Sequence, residues 1–353
     1  MRLNPEKNQT FICFTVFHLF VALLLINKSK SKYVIIILTP NLIYYKSILI
    51  SVFHGIQIIY FEDDKIELKY KKNIKKSILP FSLNNLLLST CENECNALID
   101  FGEFFQNSEF NMFLGVKTIE RYFVIKFKEN NVRFIEDGYQ TYLKTKLPVV
   151  KCIASRIYNF PFEIINHKST HEILVQHPNK LPNHLQNKSS KLDLPALYEN
   201  VGENLNKKLK KIFIKDNYVL TFLEGIRTEK SVVIFTQPLS EDGFVLEEHK
   251  IKLYKRIINE FTSIDDSVII KPHPREKTNY ESIKFDRSIT IIDGSFPIEI
   301  LNLLFIEKKI NKGITFFSSA IHNIPIFKEI IITGIDYDEE IANEYRKKRN
   351  VIK

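Results

Sequence analysis

Glycine is scarce in this chain, with 10 residues in 353, where a share of about 7% is usual. No Gly-x-Gly occurs anywhere, so neither a dinucleotide fingerprint nor a Gly-rich loop that cradles phosphate with its backbone can be built. Any phosphate bound here must be held by other means. Cysteine is sparse too. Cys13, Cys91, Cys95 and Cys152 fall on apolar or helical stretches, and Cys91-x-x-x-Cys95 has no histidines nearby at zinc-site spacing. They read as structural thiols in a reducing compartment. The longest apolar run, Phe11 to Ile26, falls short of the roughly 18 residues a membrane span needs and contains Thr15 and His18. Asn27-Lys-Ser-Lys-Ser-Lys32 follows it, where a signal peptide would carry a small-residue cleavage site. A first strand running into a buried helix is expected there, rather than a signal anchor.

The length suits two domains of roughly 100–200 residues each. With 44% hydrophobic and 26% charged residues the composition is that of a globular protein, which sets aside disordered and fibrous classes. A net charge of +9 and a pI near 9.1 suit an anionic partner: nucleic acid, an acidic nucleotide sugar or a negatively charged membrane face. The lysine clusters Lys71-Lys72-Asn-Ile-Lys75-Lys76 and Lys207-Lys208-Leu-Lys210-Lys211 have no nucleic-acid-binding module around them. They read as solvated helix faces, and nucleic acid is not an expected partner.

Along the first half, β-branched runs predict strands at Tyr33–Leu38, Ile56–Phe61, Val132–Ile135 and Glu172–Val175, with helices such as Ser82–Ile99 and Lys117–Phe127 between them. Strands are predicted in the second half at Ser231–Phe235, Ser267–Ile270, Ile289–Ile292, Ile314–Phe317 and Glu329–Ile332. Helices are expected at Leu246–Phe261, Ile298–Phe305 and Asp338–Lys353. Near-continuous apolar strands alternating with helices imply parallel sheets covered on both faces. The expected class is α/β, with two doubly wound, Rossmann-like domains. Residues 1–180 form the first, 181–230 a linker and connecting helix, 231–335 the second, and 336–353 a C-terminal helix.

In such sheets ligands sit outside the carboxyl ends of the strands. The residues there are Glu136-Asp137-Gly138, Thr236-Gln237-Pro238, Lys271-Pro-His273-Pro274, Asp293-Gly294 and Ser318-Ser319. A histidine between two prolines has a restricted backbone, so its imidazole is aimed. Beside Lys271 and Arg275 it could donate to phosphate oxygens and, once protonated, act as a general acid. His177-Pro178, next to the polar stretch His177 to Lys191, reads as a plain turn. Ser318 and Ser319 offer hydroxyls where Ala320 opens a helix, a place for an anion or simply an N-cap. Two carboxylates on a turn, Glu136 and Asp137, could repel each other enough to raise one toward a useful base. Glu241-Asp242-Gly243 is a second copy that competes for the role.

This ordered set resembles the bacterial sialyltransferases, which share an acidic pair followed by glycine, a His-Pro motif and a downstream Ser/Thr pair. Here these are Glu136-Asp137-Gly138, His273-Pro274 and Ser318-Ser319, with Phe296-Pro297-Ile298-Glu299 before the last. Phe14-Thr-Val-Phe-His18-Leu and Phe235-Thr-Gln-Pro-Leu239 look most like glycosyltransferase family 52, which sialylates lipooligosaccharide; the polysialyltransferases come second. The resemblance implies a GT-B architecture, two domains facing a cleft, and metal-independent, inverting transfer of sialic acid from CMP-sialic acid to a sugar hydroxyl of a bacterial surface glycan, lipooligosaccharide or capsule. It assigns His273 to the departing phosphate, Lys271, Pro274, Ser318 and Ser319 to donor binding, Glu299 to the ribose hydroxyls, and Asp137 or Glu136 to the base, with Asp242 as rival. No cofactor and no metal are expected. The implied partners are the nucleotide-sugar donor, the glycan acceptor and the anionic inner membrane surface, from the cytoplasmic side, with a homodimer admitted.

Two rival readings stay within glycosyl transfer. One is a GT-B enzyme using another nucleotide sugar, for instance in glucosyl transfer. The other is a metal-dependent enzyme with Asp336-Tyr-Asp338 as ion ligand, although helix capping explains that pair more simply. A third, of a different class, is a non-catalytic, membrane-associated polysaccharide-export protein.

Overall fold

Runs of β-branched residues form strands where the pattern places them. Val34–Leu38 is buried along its whole length, as a strand must be when helices cover both faces of its sheet. The computed structural model describes residues 6–29, 33–76, 83–127, 131–142, 153, 155, 157, 160–214, 217–305, 309–317, 321 and 324–351. The chain divides into two units, residues 1–197 and 198–353, each built on a wholly parallel sheet.

The first unit carries β1 (Asn8–Cys13), β2 (Val34–Leu38), β3 (Ile56–Tyr60), β4 (Ser108–Met112), β5 (Val132–Ile135), β6 (Thr170–Val175) and β7 (Ser189–Lys191) in the order β3-β2-β1-β4-β5-β6-β7. The order reverses between β1 and β4, so the crevice outside their carboxyl ends is the place for a ligand. The apolar run resolves into β1 and the helix Val16–Ser29, in which Leu19 to Leu25 are 0–3% exposed. Among the described residues no helix is long and apolar enough to cross a membrane. Cys13, Cys91 and Cys95 are free thiols; Cys152 lies outside the described residues. Phe105, Phe110, Phe123 and Phe127 pack ring against ring at centroid separations of 4.5–6.3 Å, at the centre of this unit's core.

Strand β4 escapes the sequence pattern because Glu109 and Asn111 look like loop residues. Both are buried, and neighbouring strands satisfy them. Gln9 Nε2 donates to Glu109 Oε2 at 3.1 Å and Arg133 Nη1 to the same oxygen at 2.6 Å. Arg133 Nε donates to Glu172 Oε2 at 2.6 Å, and His171 Nε2 lies 3.0 Å from Glu109 Oε1. Burial would raise the Glu109 carboxyl, but His171, Arg133 and Gln9 outweigh it and hold it below its usual value. The stretch read as a linker is also structured: residues 181–197 belong to the first unit, whose edge strand is β7, and the unit boundary falls between Leu197 and Tyr198.

In the second unit β8 (Ser231–Phe235), β9 (Ser267–Lys271), β10 (Ile289–Ile291), β11 (Ile310–Thr315) and β12 (Phe327–Ile332) run in the order β10-β9-β8-β11-β12. The switch here lies between β8 and β11. Strand β11 starts four residues before its predicted position because Gly313 is a contact rather than a breaker. A Cβ on Gly313 would stand 2.8 Å from the Phe327 ring, which lies against the strand. The helix Glu247–Phe261 places Leu253, Tyr254, Ile257 and Ile258 in the core with Val232, Ile234, Val268 and Ile270. The predicted helix Ile298–Phe305 is a 3₁₀ turn, Ile298–Ile300, followed by Leu301–Leu304, and the C-terminal helix spans Glu339–Val351.

Candidate active site

At the carboxyl edge of the second sheet, β9 ends in Lys271 and the chain turns through Pro272-His273-Pro274. The turn is closed in both directions. Glu276 N–H donates to the His273 carbonyl at 2.9 Å, and His273 N–H donates to Glu276 Oε1 at 2.8 Å. Arg275 N–H points at His273 Nδ1, 3.1 Å away. A backbone N–H can only donate, so Nδ1 is the acceptor and the ring hydrogen sits on Nε2. Burial, then the charges of Arg275 and Lys271, push the imidazole down to about 4, against opposing pulls from Asp242 and Glu241. His273 is therefore a neutral ring with a committed Nδ1 and, among the described residues, an Nε2–H without an acceptor.

Lys271 does not face outward. Its Nζ donates to the Gly294 carbonyl at 2.9 Å and to that of Pro272 at 3.3 Å, and lies 4.6 Å from the centre of the Phe296 ring. Burial pushes its amine down to about 8 against the pull of Asp293, Glu299 and Glu276. It braces the His-Pro turn against the loop after β10, where Gly294 has no room for a side chain: a Cβ would stand 2.9 Å from the Pro272 carbonyl oxygen. Glu299 is 4% exposed, and burial pushes its carboxyl up to about 7, opposed by its own backbone N–H and by Lys271. Pro274 is exposed. Ser318 and Ser319 lie outside the described residues. The strand leading to them is held in place, since Gln237 Oε1, just after β8, accepts the Phe317 N–H at 3.0 Å across the β8/β11 switch.

Asp242 forks onto Arg275, with Nη1 to Oδ1 at 2.6 Å and Nη2 to Oδ2 at 3.0 Å. Its neighbour Glu241 accepts the Lys277 N–H at 2.6 Å. The second acidic pair thus grips the His-Pro loop, and both Asp242 oxygens are engaged by a guanidinium.

In the first unit the structure separates Glu136 from Asp137. Glu136, 5% exposed, accepts from Tyr142 OH at 2.5 Å, from Gln176 N–H at 2.6 Å and from Gln176 Nε2 at 3.2 Å, joining the ends of β5 and β6. Asp137 points the other way, as successive residues at a strand end do, and Gly138 turns the chain behind it at φ +140°, a value open chiefly to glycine. Asp137 Oδ1 meets Nε2 of the fully buried His18 in a short contact. Thr15 caps the helix Val16–Ser29, its Oγ1 accepting the His18 N–H at 3.2 Å. His18 Nδ1 accepts the Phe14 N–H at 3.2 Å, and the ring stacks on Phe113 at 4.2 Å. By the same tautomer argument Nε2–H is donated to Asp137. The dyad stands outside the ends of β1, β4 and β5, at the switch point of the first sheet, and holds one carboxylate oriented with about a third of its side chain exposed.

Asp338 is spent on structure, and Asp336 sits in an exposed ion pair. Asp336 pairs with Arg346 at 2.6 Å, while Asp338 takes His249 Nε2 at 3.0 Å and the Ile341 N–H at 3.2 Å, capping the C-terminal helix. Capping, the simpler sequence reading, is what the geometry shows. Glu276 and Lys250, whose amine stands 3.6 Å from the Glu276 carboxylate, carried no role in the sequence reading, while His18 and Gln237 entered it only as members of short motifs. The three-residue spacing from His273 to Glu276 is a recognisable turn-closing signal. Lys250, on a helix far along the chain, has none.

A family model described as Glycosyltransferase family 52 matches residues 112–339. The chain is 36% identical over 143 residues to a Haemophilus influenzae protein described as uncharacterized. That match covers 36% of this chain and 45% of the relative, so it spans less than half of the relative's length. Among solved structures, an α/β-galactoside α-2,3-sialyltransferase from the luminous marine bacterium Photobacterium phosphoreum is similar, with a TM-score of 0.54 at 13% identity, covering 96% of this chain and 94% of that one. A UDP-GlcNAc 2-epimerase from Methanocaldococcus jannaschii, in complex with UDP-GlcNAc and UDP, is similar with a TM-score of 0.50 at 14% identity, covering 96% and 92%. At such identities the likeness is one of fold, and the fold is that of GT-B glycosyltransferases and related epimerases.

Proposed function

The chain belongs to glycosyltransferase family 52, and on that footing we propose that it transfers sialic acid from CMP-sialic acid to a sugar hydroxyl of a bacterial surface glycan, with inversion and without a metal. The observation that carries this reading is the His273 turn. It presents one N–H donor, from a ring whose other nitrogen is committed to Arg275, at the strand end where a leaving phosphate belongs in a parallel sheet. CMP departs as a phosphate monoester. Its developing charge needs pre-aimed donors more than a Lewis acid, and such donors are worth most when they need no reorganisation at the moment of reaction.

In this reading His273 donates Nε2–H to the departing phosphate as a neutral ring. Ser318 and Ser319 add hydroxyls and amides, and Glu299 takes the ribose hydroxyls. Asp137 is the base that receives the proton of the acceptor hydroxyl, with His18 holding its carboxylate in place. Glu136 and Asp242 are less suited to that task, since the first is buried among three donors and the second is forked onto Arg275. The net charge of +9 suits work on a lipid-linked acceptor at an anionic membrane face.

The deciding experiment compares CMP with UDP and GDP by calorimetry, followed by turnover of CMP-sialic acid in the presence of EDTA. Preferential CMP binding and chelator-resistant transfer are expected, with His273→Ala folded but without turnover. Tighter UDP binding would point to another sugar donor, and a requirement for Mn²⁺ or normal turnover by His273→Ala would overturn the mechanism. Release of the protein from membranes by salt would support a peripheral, electrostatic attachment.

A further inference from the structure

Three of the four hydrogen-bonding groups of His273 are committed within its own loop: N–H to Glu276, carbonyl to the Glu276 N–H, and Nδ1 to the Arg275 N–H. The carboxylate that closes this turn is itself held from every side. Glu276 has a side chain only 1% exposed. Its Oε1 also accepts from the Thr236 hydroxyl at 2.5 Å, and its Oε2 accepts from Tyr280 OH at 2.7 Å. Behind it, 3.6 Å from Oε2, stands the amine of Lys250, whose side chain is 0% exposed. The same amine reaches Glu241 at 2.9 Å and Glu247 at 3.3 Å, and Glu241 holds the Lys277 N–H. One buried cation therefore ties the loop after β8, the first turn of the helix Glu247–Phe261 and both ends of the segment His273–Lys277.

A buried ion cluster of this kind is weak evidence for stability, because desolvation offsets much of the attraction. Its better attested use is to specify one arrangement. From the geometry we infer that Glu276, with Lys250 behind it, is a positioning pair that sets the tautomer and aim of His273. Without the Glu276 carboxylate the His273 N–H loses its acceptor and the turn can relax. The Arg275 N–H then no longer fixes Nδ1 as acceptor, and the ring is free to carry its hydrogen on either nitrogen. Both residues act through His273, so the inference rests on the proposed role of that imidazole.

The test is Glu276→Met, which keeps the approximate size and removes both acceptor oxygens, with Glu276→Gln, whose Oε1 can still accept the His273 N–H, expected to fall between it and wild type. The readouts are donor kinetics and ¹⁵N NMR of the imidazole nitrogens, with His273→Ala identifying the resonances. Turnover of Glu276→Met should fall on the order of 30-fold while KM for the donor changes less than about threefold, since a misaimed donor weakens the transition state rather than ground-state binding. Wild-type His273 should show a single Nε2–H tautomer and Glu276→Met a mixture. Lys250→Met should shift both readouts in the same direction; if it does not fold, Lys250→Arg, whose bulkier guanidinium cannot occupy the amine's place among three carboxylates, replaces it. A folded Glu276→Met variant with one tautomer and turnover within twofold of wild type overturns the inference. A tautomer shift in a protein that does not use CMP-sialic acid would uphold the positioning role while sinking the donor assignment.

Discussion

Replacing Glu299 with glutamine should make the protein more stable above neutral pH and worse at binding its nucleotide. The carboxyl of Glu299 is buried, and its ionisation is pushed from 4.5 up to about 7, chiefly by desolvation. Between those values the folded chain holds a proton that the unfolded chain has released. The stabilisation is therefore fully present below about pH 4.5 and is lost as pH rises through about 7, with little further change above. A displacement of that size corresponds to about 3 kcal/mol. Glutamine has the same shape and no charge to desolvate, so this part of the pH dependence should vanish in Glu299→Gln. The assay is denaturant unfolding of both proteins from pH 5 to 8, taking the difference so that other titrating groups cancel. The gap should widen with pH in favour of the variant by about 2–3 kcal/mol. Donor affinity should move the other way. A hydrogen bond to a charged acceptor exceeds one to a neutral acceptor by about 1 kcal/mol, so KM for the donor should rise on the order of five- to tenfold. Parallel stability curves for the two proteins would refute the account of Glu299 as a buried, strained carboxyl, and an unchanged KM would remove it from the ribose.

His273→Gln should retain more turnover than His273→Ala, because an amide N–H can replace a neutral donor but not an acid; equal loss in both, measured with CMP-sialic acid, would favour proton transfer instead. Asp137→Asn should lower kcat by 10² or more, and His18→Ala by about tenfold, whereas Glu136→Gln should chiefly lower the melting temperature; full activity in Asp137→Asn with loss in Asp242→Asn would move the base to the second unit. Arg133→Met leaves Glu109 buried beside a lost partner and should cost about 3–5 kcal/mol in unfolding free energy, much of it recovered in the double variant with Glu109→Gln.

The strands of both sheets were legible wherever burial on two faces demands uninterrupted apolar residues, as in Val34–Leu38 and Ser231–Phe235. Strand β4 was not, because Glu109 and Asn111 are paid for by Gln9, Arg133 and His171, whose proximity is not a local property. Ser189–Lys191 was hidden for a related reason, since an edge strand of three polar residues looks the same as a linker until its neighbour β6 is in place. The His-Pro turn could be read directly, as two prolines restrict the histidine between them whatever surrounds it.

The chain alone determined the α/β class, the two units, the absence of any Gly-rich phosphate loop and the short set of polar residues at strand ends, because these follow from composition, period and backbone restriction. Tertiary structure decided among those residues. It turned Lys271 inward onto two carbonyls, set Glu136 in a structural net, forked Asp242 onto Arg275 and left Asp137 with His18 behind it. It also brought the Lys250 amine against Glu276, the carboxylate that closes the His273 turn. Which carboxylate keeps an open oxygen depends on donors supplied by other strands and helices, and no residue carries that information by itself.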